Sequence, residues 1–212
     1  RFIGFYKVFL ESYKFYATVH PHDAQDIPET YLDELRELSK EEKVLAIGEI
    51  GLDFYYDNSP RDIQRKVFLE QLQLARELDL PVVIHTRDAA GETFEILKDA
   101  HAKGTKGILH CYSGSPEMAL EYVKLGFYIS LGGPVTFKKA RVPKEVAGVV
   151  PLDKLLIETD CPYLTPEPFR GKRNEPKYVA YTAEAIAEIR GISIEELAEA
   201  TSRNVREIFG II

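Results

Sequence analysis

The 212-residue chain has no tryptophan, one methionine and only two cysteines, Cys111 and Cys161. Two cysteines are too few for a disulfide framework, which fits a reducing compartment. Each directly follows a residue at the end of a predicted strand, and neighbouring residues of a strand face opposite sides, so we expect both thiols to be packed rather than metal ligands or nucleophiles. The sequence also has no apolar run long enough to span a bilayer and no signal-peptide pattern. It therefore predicts a cytoplasmic protein with no membrane partner.

An excess of positive charge is also absent, because the net charge is −7. This charge argues against a protein that holds nucleic acid by bulk electrostatic attraction alone. An enzyme that meets phosphates through bound metal ions and one local basic loop is not excluded.

Short apolar segments with strand character alternate with amphipathic segments almost throughout the chain, and no linker or low-complexity tract divides it. This alternation predicts an α/β fold with a parallel sheet covered on its outer face, in one domain over residues 1–212. Predicted strands cover residues 14–20, 43–50, 81–85, 106–110, 126–131 and 154–159. Predicted helices cover residues 28–40, 91–103, 116–125 and 138–149, and Ser115-Pro116 is the predicted cap of the third of these. A long helix opens at Ser59-Pro60 with an apolar stripe of Phe68, Leu72, Ala75 and Leu78, and further helices extend up to Gly210.

Six strand–helix units are two fewer than a (β/α)8 TIM-type barrel needs, and such barrels typically have about 250 residues. The chain opens on Arg1 and continues directly into RFIGFYKVFL. We expect that material is missing upstream and that the first two strand units belong to it. An amphipathic membrane segment is the less favoured interpretation of this opening.

Residues that can bind metals or transfer protons stand at the ends of five predicted strands: His20, Glu49, His85, His110 and Asp160. In a (β/α)8 barrel the ends of the strands carry the catalytic residues. Each residue alone has an ordinary structural explanation, such as a packed histidine or a helix N-cap. Together they predict a hydrolytic metal centre, because imidazole nitrogens and carboxylate oxygens are its usual ligands.

Five motifs then point to a family: IGEIGLD, VIHTRDA, HCYSGS, ISLGGPVTFKKA and IETDCPYLTPEPFRGKRNEP. In order and spacing they resemble the TatD family of metal-dependent deoxyribonucleases, within the amidohydrolase-like metal hydrolases. The resemblance runs from about Phe9 to the C-terminus. It implies a (β/α)8 barrel that hydrolyses phosphodiester bonds of DNA ends or single strands with divalent cations.

The resemblance also implies roles for single residues. Glu49 matches the carboxylate that contacts both of two divalent metal ions (Mg²⁺, Mn²⁺ or Zn²⁺), and His85 and His110 match the histidines of one of them. Asp160 matches the aspartate that binds the other ion and orients or deprotonates the attacking water. Glu49 and Asp160 are thus the expected catalytic residues.

The segment ATVHPHD contains the one H-x-H pair of the chain, His20 and His22. It lies where the family has a G-x-H-P segment, and the family's own H-x-H pair belongs two strands upstream. The resemblance therefore implies a place at the rim of the site for His20 and a loop position for His22. It also implies that one metal ion could be lost with the upstream strands.

Arg170, Lys172 and Arg173 form a basic loop after the last strand, and Arg87 follows His85 by two positions. A solvated turn is the ordinary explanation of such a loop, but the match to the family motif favours contact with substrate phosphates. Tyr112, Tyr163 and Phe169 could stack on bases or simply pack, and the sequence leaves this open.

Two other functions remain open from the sequence. The same metal centre could hydrolyse a small ester, amide or phosphotriester, because one fold hosts many chemistries. Alternatively, a fragment without the upstream pair could be catalytically impaired and serve as a binding or structural module. Oligomeric state is not indicated.

Overall fold

The computed structural model describes residues 15–211, and their side chains from Ala17 onwards. The expectations about the opening segment and the start of the first strand therefore lie outside the described residues. The chain divides into two compact units, with the boundary between Ile108 and Leu109. One domain over residues 1–212 stays a prediction.

The first unit contains parallel strands with helices between them. Strands β1 (Phe15–Ala17) and β2 (Val44–Asp53) pair in parallel, and β2 pairs in parallel with β3 (Val82–Arg87). A 3-10 helix (Pro21–Asp26) follows β1. The helices are α1 (Tyr31–Leu38), α2 (Arg61–Glu77) and α3 (Ala90–His101).

The boundary between the units falls within the short strand β4 (Gly107–Leu109). The second unit has the parallel pair β5 (Tyr128–Leu131) and β6 (Leu155–Ile157). Its helices are α4 (Pro116–Lys124), α5 (Arg141–Val149), α6 (Val179–Arg190) and α7 (Ile194–Phe209). Short 3-10 helices cover Gly133–Thr136, Leu152–Lys154 and Pro176–Tyr178.

The α/β fold predicted from the alternating pattern is confirmed, with six strands among the described residues. The cap predicted at Ser115 is also confirmed, since its hydroxyl accepts the backbone N–H of Met118 at 3.2 Å. The strand ends were predicted less well, because β2 and β3 continue three and two residues beyond the predicted ends. Among residues 15–211, no helix has the length and hydropathy needed to cross a membrane.

One buried amide fastens the last helix to the last strand. The Nδ2 of Asn204 on α7 donates to the carbonyl oxygens of Leu152, at 2.9 Å, and Leu155, at 2.8 Å. Asn204 is 1% exposed. Its loss would leave the buried carbonyl of Leu155 and the part-buried carbonyl of Leu152 without this donor, and an unsatisfied buried acceptor lowers stability.

We therefore expect Asn204→Ala to lower the free energy of unfolding by about 2 kcal/mol. Urea denaturation followed by circular dichroism measures this change. Arg203→Ala, at the exposed neighbouring position of the same helix, is the matched control and should change stability by less than about 0.5 kcal/mol. Equal effects of the two substitutions would contradict the role given to the amide.

Candidate metal centre

The first unit brings together three of the residues predicted from the sequence. Ligand atoms of His20, Glu49 and His85 all lie within 4.8 Å of one another, and the three side chains are half-buried. Glu49 lies within β2, His85 within β3, and His20 three residues after β1. An imidazole–carboxylate–imidazole group of this kind has the donor set of a transition-metal site.

Two glycines of the GEIGLD motif allow β2 and β3 to approach closely. A Cβ atom at Gly51, where φ is +143°, would lie 1.9 Å from the carbonyl oxygen of His85. A Cβ at Gly48 would lie 2.5 Å from the Cβ of Val83. Only glycine fits at these two positions, so Gly48 and Gly51 allow the strand that carries Glu49 to approach the strand that carries His85.

A second group in the same unit shares His85. The Nε2 of His22 lies 2.8 Å from Oδ2 of Asp53, and the Nε2 of His85 lies 3.0 Å from the same oxygen. These three residues could also hold a metal ion. The sequence interpretation placed His22 in a loop and gave Asp53 no role, so the structure adds both residues to the cluster.

Asp53 is fully buried and remains ionised. Burial raises its pKa, but hydrogen bonds from the backbone N–H of Tyr56, from His22 and from His85 outweigh burial, and the pKa is lowered to about 2. A buried carboxylate that contacts two imidazoles fixes their ring orientation, as the carboxylate–histidine pairs of metal sites do. The chemistry of the donors therefore fits a divalent cation.

The second unit also holds a cluster of acidic and imidazole side chains. The Nδ1 of His110 lies 2.5 Å from Oε2 of Glu158, and its Nε2 lies 3.4 Å from Oδ1 of Asp160. The other oxygen of Glu158 accepts the backbone N–H of Cys111. Glu158 was missed in the sequence, although it stands two residues before Asp160 in the IETD motif.

These residues follow the strands rather than belong to them. Strand β4 ends at Leu109 and β6 at Ile157, and both Cys111 (φ 43°) and Asp160 (φ 56°) adopt left-handed backbone conformations. Strand alternation therefore does not decide where the cysteines point. Cys111 is half-buried but Cys161 is exposed, so the prediction of a packed thiol is wrong for Cys161.

The four basic residues predicted to contact phosphates are solvent-accessible, and the charged groups of three of them lie against aromatic rings. The Arg87 guanidinium lies 4.0 Å from the ring centroid of Tyr55, Arg170 lies 4.2 Å from Phe137, and the Lys172 ammonium lies 5.7 Å from Phe169. Arg173 is exposed. Phosphate contact by these four residues stays a prediction.

The three aromatic residues left open by the sequence have different environments. Tyr112 is 5% exposed and donates its hydroxyl to the carbonyl oxygen of Ser115, so it is a packing residue. The ring of Phe169 stacks on that of Tyr178, with centroids 4.6 Å apart. Tyr163 is 70% exposed.

Comparison with known proteins gives a consistent result. The family model described as "TatD related DNase" matches residues 8–210. An uncharacterized metal-dependent hydrolase, YabD of Bacillus subtilis, is 54% identical over 205 residues, which cover 95% of this chain and 80% of that protein.

A relative from Escherichia fergusonii, named 3'-5' ssDNA/RNA exonuclease TatD, is 38% identical over 201 residues. These residues cover 92% of this chain and 77% of that relative. Among solved structures, the TatD homologue YJJV of Escherichia coli K12 superposes with a TM-score of 0.87 at 32% identity. That match covers 94% of this chain and 77% of the YJJV chain. The chain belongs to the TatD family of metal-dependent hydrolases.

Proposed function

We propose that the protein is a divalent-metal-dependent nuclease that hydrolyses phosphodiester bonds of single-stranded DNA, releasing nucleotides from the 3' end. The observation that carries the proposal is the convergence of the His20, Glu49 and His85 ligand atoms within 4.8 Å in a TatD-family chain. The relative named as a 3'-5' ssDNA/RNA exonuclease supports both the substrate class and the direction.

We assign Glu49 and His85 of the first unit, and His110 and Asp160 of the second unit, as metal ligands, and we propose two ions of Mg²⁺, Mn²⁺ or Zn²⁺ as the cofactor. A bound divalent cation supplies positive charge that polarises a phosphodiester and acidifies water. The chain's own contribution is to hold the ligands in place, since Asp53 orients His85 and Glu158 orients His110. We assign Asp160 as the general base that takes a proton from the attacking water.

We further propose that Arg87, Arg170, Lys172 and Arg173 contact the phosphate backbone of the substrate. All four side chains are exposed, and a net charge of −7 makes local positive groups necessary for binding an anion. Cysteine usage supports a cytoplasmic location.

The test is digestion of a single-stranded DNA oligonucleotide labelled at its 5' end, with each of Mg²⁺, Mn²⁺ and Zn²⁺, against a reaction containing EDTA. We expect a ladder of 5'-labelled products that shortens one nucleotide at a time and that is absent with EDTA. An RNA oligonucleotide of the same sequence shows whether the sugar is discriminated.

Three outcomes would contradict the proposal. Equal degradation with and without EDTA would show that cleavage does not depend on a metal ion. Hydrolysis of an aryl ester or phosphotriester without cleavage of DNA would favour a small-molecule hydrolase. Absence of all hydrolysis in a correctly folded chain would favour a catalytically impaired module.

A further inference from the structure

Two neighbouring tyrosines stand out on the surface of the first unit. Tyr55 and Tyr56 follow β2 directly and are 57% and 53% exposed. Their rings meet edge to face, with centroids 4.9 Å apart and planes at 86°. Single exposed aromatic residues are common on protein surfaces, but an adjacent pair that keeps more than half of each side chain in water is a candidate binding surface.

This tyrosine pair is held in a defined conformation. The backbone N–H groups of Tyr55 and Tyr56 both donate to Oδ1 of Asp53, at 3.1 and 2.9 Å. The guanidinium carbon of Arg87 lies 4.0 Å from the centroid of Tyr55 and 4.6 Å from that of Tyr56. Because the rings are already ordered, stacking of a ligand on them causes little further loss of side-chain conformational entropy.

The pair also lies beside the candidate metal group. Asp53 joins the two, since its Oδ1 accepts the tyrosine N–H groups while its Oδ2 contacts His22 and His85. The His22 ring packs edge to face on Tyr56 with centroids 5.3 Å apart. One buried carboxylate therefore holds both the backbone of the tyrosine pair and two candidate ligands of the cation.

We propose that Tyr55, Tyr56 and Arg87 form a stacking platform for an unpaired base of single-stranded nucleic acid. Exposed ring faces stack on bases without reading their sequence, and an arginine beside them adds cation–π attraction and a partner for the phosphate. Bases inside a duplex present no free face, so the platform selects single strands. The inference rests on the proposed nuclease function and adds to it the residues that bind the substrate base.

The test measures binding separately from cleavage. Fluorescence anisotropy of labelled oligothymidylate in EDTA gives the dissociation constant of the wild-type chain and of Tyr55→Ala and Tyr56→Ala. We expect each alanine to raise the dissociation constant about tenfold, as loss of one base–aromatic stack does. The double variant with phenylalanine at both positions should stay within about twofold of wild type, because the ring faces remain.

Two controls separate stacking from a general loss of structure or charge. Leu69→Ala removes another large exposed side chain of the same unit, 50% exposed on α2, and should leave binding unchanged. An oligonucleotide without bases should bind wild type and the alanine variants equally weakly.

Arg87→Gln tests the charge of the platform and should raise the dissociation constant for oligothymidylate. It should also reduce the slope of log affinity against log salt concentration by about the amount expected for one phosphate contact.

The outcomes also separate this inference from the proposed function. Alanine variants that bind oligothymidylate like wild type, or a wild-type chain that binds it no better than the baseless strand, would overturn the platform. Metal-dependent cleavage could persist in that case. Conversely, loss of binding in the alanine variants of a chain without metal-dependent cleavage would support the platform and contradict the nuclease.

Discussion

Glu49→Ala is expected to lower the metal-dependent rate of phosphodiester hydrolysis by about 1,000-fold or more. The substitution removes the carboxylate from the group that it forms with His20 and His85. Charge stabilisation by a catalytic metal is worth several kcal/mol, and about 4 kcal/mol corresponds to this factor. The measurement is kcat/KM on single-stranded DNA, together with the metal content of the purified chain by mass spectrometry.

Asp160→Ala is the companion substitution in the second unit and should have a loss of similar size. Its Oδ1 lies 3.4 Å from Nε2 of His110, so the substitution removes both a candidate ligand and the proposed general base. Raising the metal concentration should restore part of the activity of Glu49→Ala if the defect is weaker metal binding. It should restore less to Asp160→Ala, because the proton acceptor is also gone.

Matched controls come from α3 of the first unit. Glu95→Ala and Asp99→Ala each remove an exposed carboxylate that forms an ion pair with a surface lysine. Such pairs contribute little to stability, and both variants should keep wild-type activity. Activity within about threefold of wild type for Glu49→Ala would contradict its assignment, whatever the metal content.

The parts of the fold that could be predicted depend on local pattern. Ser115 followed by Pro116 predicted the start of α4, and Phe68, Leu72 and Ala75 predicted the buried face of α2. The extent of β2 could not be predicted in this way. Asp53 is polar and follows a glycine-containing stretch, which locally indicates a strand end, but its pairing opposite Arg87 of β3 continues the strand.

The site was predictable where a motif fixed the backbone, and less so elsewhere. Glu49 and His85 come together because Gly48 and Gly51 let their strands approach. Asp53 and Glu158 were missed because an acidic residue at a strand end is equally typical of a turn or a cap. The position of His22 depends on a long-range contact with Asp53, 31 residues away, and no local pattern reports such a contact.

Asp53→Asn is expected to weaken metal binding about 10- to 100-fold, the usual effect of removing a carboxylate that orients a histidine ligand. Oδ2 of Asp53 contacts the Nε2 atoms of His22 and His85, and an amide keeps the volume but not the charge. The carboxylate accepts on both oxygens, with Oδ2 facing the two rings and Oδ1 facing the backbone N–H groups of Tyr55 and Tyr56. An amide has a single acceptor oxygen, so it cannot satisfy both sides as the carboxylate does. Isothermal titration calorimetry with Zn²⁺ or Mn²⁺ measures the change.

The effect of Asp53→Asn on metal affinity must be distinguished from a loss of local structure. A substitution of Gln64, which contacts the backbone of Asp53, is the control for this. The side chain of Gln64 accepts the backbone N–H of Asp53 at 2.8 Å and donates to the carbonyl oxygens of Asp53 and Ser59, without contacting the carboxylate. Gln64→Ala should therefore lower the free energy of unfolding by about 2 kcal/mol and leave metal affinity within about threefold of wild type.

Asp53→Asn should show the opposite pattern, with a large loss of metal affinity and a smaller loss of stability, since the backbone contacts of Gln64 remain. If both substitutions weaken metal binding equally, in proportion to their loss of stability, Asp53 is only part of the local scaffold. If Asp53→Asn alone weakens it, the buried carboxylate acts on cation binding and not only on the local fold.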